Sequence, residues 1–423
     1  MFNPLKYIGM GRIILLWFLL AALGFVSCND DDGKYAEYLV AKPLTISMAD
    51  FKSAIDVIAP VPMDESGKIY VYGEYIFVNE KYKGVHVIDN SDPKAPKKMA
   101  FIEIPGNVDV SVKGNYLFAD SITDLIVLDI SDINSIKMVN RLENVLRNNV
   151  IFPFEVDIYE WQDIDYENDM VIGWETVRER RLIEEVQVDF SREFDVMLAN
   201  ATQNSSKTGQ GGSLARFKIV NDYLYAVDSH SINVFNIEDL ENPKDLDDVY
   251  AGFDIETIFN RGDQLFLGSR RGMYIYDISA PATPSLISEF EHGTACDPVV
   301  VDGDYAYVTL RGGNMCGATE SGLFIVDISD ITNPELVKTY PMDGPYGLGV
   351  KDEKLFVCDG ASGLKVYDKT NVQNLVQLNH FKDIDTFDVI PMEDNLLMIG
   401  QEVLYQYEYL DNKIKLISTL ELH

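Results

Sequence analysis

Three sets of residues could do chemistry. The first is charged. Asp109, Arg216, Glu256, Asp297 and Asp388 each stand at or just ahead of a short apolar run, and Arg311 follows another. If those runs are strands converging on one axis, the acids meet at its mouth and can offer oxygen ligands to a hard cation. Ca2+ at that mouth is therefore the one cofactor the chain allows for; otherwise none is expected. Lys81, Lys83, Arg270, Arg271 and Arg311 fall on neighbouring loops, so mutual pairing and solvation compete with that use, and a one-residue slip of register would turn each side chain away. The second set is aromatic. Trp161 and Trp174 are the only tryptophans beyond Trp17, and they sit among Phe152, Phe154, Tyr159 and Tyr166. Such rings stack on a sugar or a partner side chain, or they staple their own segment to a scaffold. The third set is Cys28, Cys296, Cys316 and Cys358.

Catalytic patterns are missing. There is no HExxH, no GxSxG and no Gly-rich phosphate loop between a strand and a helix, and only 5 His occur in 423 residues. Carboxylate pairs carry no weight in a chain with 68 acids. No catalytic residue is assigned. The competing expectation of an enzyme is a metal-dependent hydrolase or lyase at the channel mouth.

The elements that must position these residues are repeats. Gly322 to Pro334 reads GLFIVDISDITNP, and copies of it end their strand at Asp89, Asp129, Asn236, Asp277, Asp327 and Asp368, with a worn copy at Glu408. The steps are 40, 107, 41, 50, 41 and 40 residues. A period near 40 with short strands points to a propeller. Within Gly106 to Val145 the apolar runs Val108 to Val112, Tyr116 to Ala119, Leu125 to Leu128 and Lys137 to Leu142 predict four antiparallel strands. The Asp closing each third strand accepts backbone N–H bonds in the turn that follows and acts as a staple. Seven copies predict an all-β, seven-bladed β-propeller of four-stranded antiparallel blades over residues 68–423.

Two intervals are long. Residues 146–213 are inserted between the last strand of blade two and the first strand of blade three, on the face that carries the second-to-third-strand loops. Met170 to Arg178 and Glu184 to Phe190 predict a strand pair there, and Asn204 to Ser213, NSSKTGQGGS, a flexible return. In blade five, Cys296 precedes the first strand and Cys316 follows the second. Antiparallel pairing brings those ends together, so a Cys296–Cys316 disulfide is expected in an oxidising compartment. Cys358 reads as a buried thiol or an alternative partner for Cys316. A zinc site would need more than His292 nearby.

The segments VHVIDNSDP, LIVLDISD and LFIVDISD resemble the LVIVD-repeat proteins, β-propellers found especially as lipoproteins of Bacteroidetes-type bacteria. The resemblance runs from Ile69 to Leu422, with the 107-residue step and the worn last copy as departures. That family has no common activity, so the resemblance implies a fold and no catalytic residue.

Residues 1–27 hold Lys6, Arg12 and an apolar run from Ile13 to Val26, as a signal peptide does. Phe25-Val26-Ser27-Cys28 resembles a lipobox, which makes Cys28 the lipidation site and the membrane anchor; a plain secretory signal is the alternative. Asn29 to Asp32 resembles the acidic signal that sends such lipoproteins to the outer face of the outer membrane; periplasmic orientation is the alternative. Residues 28–67 form the tether and lead-in, with a helix capped at Ser47 and extended chain from Asp56 to Pro62 along a blade edge. A net charge of -33 excludes nucleic acid as a partner. The expected protein is an outer-membrane lipoprotein, monomeric or part of an envelope complex, binding a protein or glycan.

Overall fold

The computed structural model describes residues 35–53, 55–147, 153, 156–161, 164–165, 167–182, 209–291, 298–312 and 321–423. Contacts divide it into two units. The smaller draws on Met1–Lys42, Glu155–Gln162 and Glu175–Arg192, and the larger on the rest.

Runs such as Leu125 to Leu128 are buried at every position, because both faces of the strand are covered. That is how the repeats pack. Among the described residues of the larger unit, seven antiparallel sheets of four or more strands follow one another along the chain. The second is typical: Val110–Lys113, Tyr116–Ser121, Asp124–Asp129 and Lys137–Leu142 lie in sequence order from inner to outer edge. These bounds match the predicted runs to within two residues. Each neighbouring pair of sheets shares a buried apolar layer. The last of these layers joins Ile390, Leu397 and Leu404 of the seventh sheet to Ile69, Ile76 and Ile88 of the first, so the cycle closes.

The staples behave as expected. Asp89, Asp129, Asn236, Asp277, Asp327 and Asp368 each accept the backbone N–H two residues on, at 2.8 to 2.9 Å. The worn copy at Glu408 holds Lys415 at 2.7 Å instead, across the short turn from Leu410 to Lys413. Just beyond the staple the outer strand bulges in six of the seven sheets, which bends that strand locally. Outer strands also clasp the next sheet's turn: Ser288 Oγ donates to Ile331 O at 2.6 Å, Tyr340 Oη to Val372 O at 2.7 Å, and Ser418 Oγ back to Pro93 O at 2.6 Å.

The lead-in follows its predicted course. Ser47 Oγ accepts the N–H of Asp50 at 3.0 Å and caps the helix Met48–Ser53, and Asp56–Ile58 pairs with the outer strand Lys97–Glu103 of the first sheet. A further sheet is ordered Ile158–Tyr159, Tyr35–Ser47, Asp169–Leu182, and the smaller unit holds its residues 35–42, 158–159 and 175–182. One edge of the strand over 170–178 pairs with the lead-in; 184–190, its expected partner, lies outside the described residues. Lys42 meets Glu179 at 2.5 Å, and Arg181 holds Glu179 at 2.5 Å and also pairs with Glu160.

Candidate functional site

Inner strands run in one direction, so their first residues gather at one end of the central channel and their turns at the other. Asp109, Arg216, Glu256 and Asp388 stand at the first end, and all four are buried. Asp297 lies outside the described residues. Asp109 accepts the N–H groups of Arg216 and of Phe217, the latter at 3.0 Å, and that of Val110 at 2.7 Å, with Lys68 Nζ at 3.5 Å. Asp388 accepts Ser213 N at 2.9 Å, Ser213 Oγ at 2.8 Å, Leu214 N at 3.2 Å and Val389 N at 2.9 Å. Burial lowers the pKa of Arg216, opposed by the nearby carboxylates of Asp120, Asp228, Asp109 and Glu256. Burial also pushes Asp120 up to about 6 and Asp388 up to about 7, and Lys68 down to about 8.

The oxygens of Asp109 and Asp388 are taken up by backbone N–H groups and the Ser213 hydroxyl, and the buried Arg216 guanidinium lies near the carboxylates of Asp120, Asp228, Asp109 and Glu256. Among the described residues no group of three or more His, Cys, Asp or Glu could hold a metal ion. What the two acids grip is the end of the insert.

Gly209 to Ser213 is not a flexible return. It re-enters at the turn end and climbs the channel beside the inner strands: Gly209 N donates to Val112 O at 3.1 Å, Gln210–Gly211 pairs with Ser66–Tyr72, and Gly212 N donates to Ile69 O at 2.9 Å. Asp388 and Asp109 then hold its upper end. The glycines are needed for close approach: a Cβ at Gly209 would stand 2.1 Å from the Tyr70 ring, and one at Gly212 2.0 Å from Asp388 Oδ2. The insert leaves the second sheet at the loop end, where Leu146 N donates to Thr123 O at 2.9 Å, and comes back through the channel from the other.

Beside this plug the channel keeps a cavity of ≈ 560 Å³ that reaches the turn end. Val300, Leu348 and Val389 supply apolar wall, and Gln210 and Asn260 supply amides. Arg261, Asp302, Lys351 and Glu393 stand among the turns at its rim.

The insert's tryptophans do not form one surface. Trp174 is 8% exposed, so its ring is unavailable for stacking on a ligand. Trp161, in the smaller unit, is half-buried and stacks on Tyr159 with centroids 6.2 Å apart. Phe152, Phe154 and Tyr166 lie outside the described residues, as do Cys28, Cys296 and Cys316. Cys358 is a buried free thiol, and burial raises its pKa. Arg311 lies 4.1 Å above the centre of the Tyr346 ring.

An exposed aromatic cluster, not anticipated from sequence, lies at the loop end of the third and fourth sheets. Tyr250 is 60% exposed and Phe253 49%. Their rings meet edge to face at 6.0 Å, His230 meets Phe253 at 5.7 Å, and the Arg271 guanidinium covers Phe253 at 5.3 Å. Left-handed backbone at Gly252 and Asp254 turns the chain so tightly that Phe253 projects, and Arg271 is braced by Asp254 at 3.3 Å. Only the GF and RRG pairs of loop residues hinted at it.

A cycle of antiparallel four-stranded sheets around a channel, with its loops at one end and turns at the other, is a β-propeller. The repeats are of a particular kind: the LVIVD repeat model matches residues 65–101, 106–143, 261–291 and 292–341, so the chain carries LVIVD repeats. Among solved structures, Saccharomyces cerevisiae Sqt1 is similar over 85% of this chain and 86% of its own, with 9% identity and a TM-score of 0.51. A Lactobacillus plantarum protein is similar over 77% of this chain and 88% of its own, with 10% identity and a TM-score of 0.50. At such identities the likeness is one of fold. No curated protein matches the sequence.

Proposed function

We propose that this chain is an outer-membrane lipoprotein, anchored through Cys28 and facing the cell exterior, whose propeller is a recognition module for a protein or glycan partner. The seven sheets are its full set of blades, and a Cys296–Cys316 disulfide fixes the loop of the fifth. The observation that carries the binding role is the aromatic cluster of Tyr250 and Phe253. Exposed rings held in edge-to-face contact and braced by an arginine keep apolar area in water without any gain to the fold, which is the mark of a contact surface. Rigid rings lose little entropy on binding, and Arg271 adds a charged donor beside them.

The test is capture from solubilised envelopes and from a polysaccharide panel by the wild type and by the double variant Tyr250→Ala, Phe253→Ala. Both side chains are exposed, so the variant should keep its stability within about 0.5 kcal/mol. A defined glycan or protein retained by the wild type and lost by the variant supports the reading. Equal capture by both, or none by either, refutes it. Deleting residues 146–213 is a poorer experiment, because it also removes the plug. Intact mass before and after reduction tests the disulfide.

A further inference from the structure

We infer that the cavity beside the channel plug is a second binding site, distinct from the aromatic cluster at the other end of the channel, and that it takes a neutral saccharide of one or two rings. Its size, ≈ 560 Å³, lies within the roughly 300–1,000 Å³ of small-molecule sites. It is closed off by structure that can be named. The plug at Gln210 to Ser213 fills the channel on one side, so the space is entered from the turn end.

Two observations point to the ligand. Asn260 is 2% exposed and lines the cavity, and its Oδ1 has no hydrogen-bond partner among the described residues, while its Nδ2 donates to Gly262 O at 3.2 Å. A buried acceptor without a donor costs free energy until a hydroxyl, an amine or water meets it. The rim then selects among these. Asp302, Asp352 and Glu393 face Arg261 and Lys351 around the mouth, and most of these charges are already engaged. Asp302 pairs with Lys369 at 2.5 Å, Arg261 donates to Gly303 O at 2.5 Å and to Gln264 Oε1 at 2.9 Å, and Lys351 lies over the Tyr409 ring at 5.6 Å. A rim of mixed and satisfied charge favours neither anion nor cation. An apolar wall of Val300, Leu348 and Val389 with amides set into it suits a molecule with apolar faces and hydroxyl edges, which is a pyranose.

The probes are glucose, N-acetylglucosamine and maltose, followed by saturation-transfer NMR with the full chain in a sugar-free detergent. Transfer to at least one sugar is expected, with its Kd raised about tenfold by Asn260→Leu, the weight of one hydrogen bond. Met392→Trp, which adds bulk to the cavity wall, should abolish the transfer and serves if Asn260→Leu does not fold. Tyr250→Ala with Phe253→Ala should leave it intact, which separates this site from the recognition surface. Absence of transfer from all three sugars, equal transfer in wild type and a folded Asn260→Leu variant, loss in the Tyr250→Ala, Phe253→Ala variant, or binding of spermidine in place of sugar would each overturn the assignment.

Discussion

Substituting Gly212 by Ala puts the channel plug to the test. The new methyl would stand 2.0 Å from Asp388 Oδ2 and 3.1 Å from Ile69 Cγ1. Neither neighbour can yield, since Asp388 is fully buried and fixed by four hydrogen bonds, and Ile69 belongs to the layer that closes the ring. The plug must therefore withdraw, and the three hydrogen bonds from Ser213 N, Ser213 Oγ and Leu214 N to Asp388 go with it. Burial raises the pKa of Asp388 to about 7, so the acceptor is charged only above that pH; there bonds to it contribute roughly 1.5–3 kcal/mol each, and three at the low end, because water enters as the plug leaves, come to about 4.5 kcal/mol. That is a large share of a typical stability of roughly 5–15 kcal/mol. Urea unfolding measures the total. Amide exchange measures the segment, where Gly209 and Gly212 are now protected by Val112 O and Ile69 O and should exchange up to about a thousandfold faster. Gly344→Ala is the control, since nothing stands within 4 Å of its added Cβ. If Gly212→Ala matched Gly344→Ala in both measurements, the segment would not occupy the channel.

Two further outcomes concern pH. The pKa values of Asp89, Asp129, Asp277, Asp327 and Asp368 are lowered by the hydroxyl and N–H two residues on, so their stabilisation is complete above the ordinary carboxylate pKa near 4 and is lost as pH falls through their lower folded values. Asp327→Ala should flatten that acid limb in a melting-temperature profile, and an unchanged profile would count against the staple. Lys218 is buried and its pKa falls to about 7, so between pH 7 and its ordinary value near 10.5 the unfolded chain binds the extra proton and stability rises with pH. Lys218→Met should raise stability at pH 7 and make the profile flatter from pH 7 to 9.5; a loss of stability would show that the ammonium has a partner.

The repeats were legible because each position has one physical requirement. Leu125 to Leu128 must be apolar throughout to sit between two sheets, and Asp129 must accept Ser131 N at 2.8 Å to turn the chain. Those requirements leave marks on composition every 40 residues or so. Asp109, Arg216 and Asp388 could be placed for the same reason, as first residues of inner strands, yet their partners could not: Asp109 binds the backbone N–H of Arg216, and an N–H has no residue type. The plug misled for a related reason. Gly is used both where a chain needs freedom and where it must pass within contact of a neighbour, and QGGS reads as the first until Tyr70 and Asp388 are in view. Burial of Trp174 and exposure of Phe253 depend on which elements flank them, and no spacing within a loop encodes that.

The path of the insert also sets an order of events during folding. Ser213 is held by a carboxylate 175 residues further along the chain, and the ring is latched by Ser66 Oγ donating to Gly400 O across 334 residues. Such separations raise the entropic cost of closing the contacts and slow their formation. A strand inside a ring can be seated easily only while the ring is open. The first six of the described sheets can therefore assemble as the chain emerges, but the channel segment waits for Asp388, and the arrival of the sheet that carries it completes the ring and locks the segment in one step.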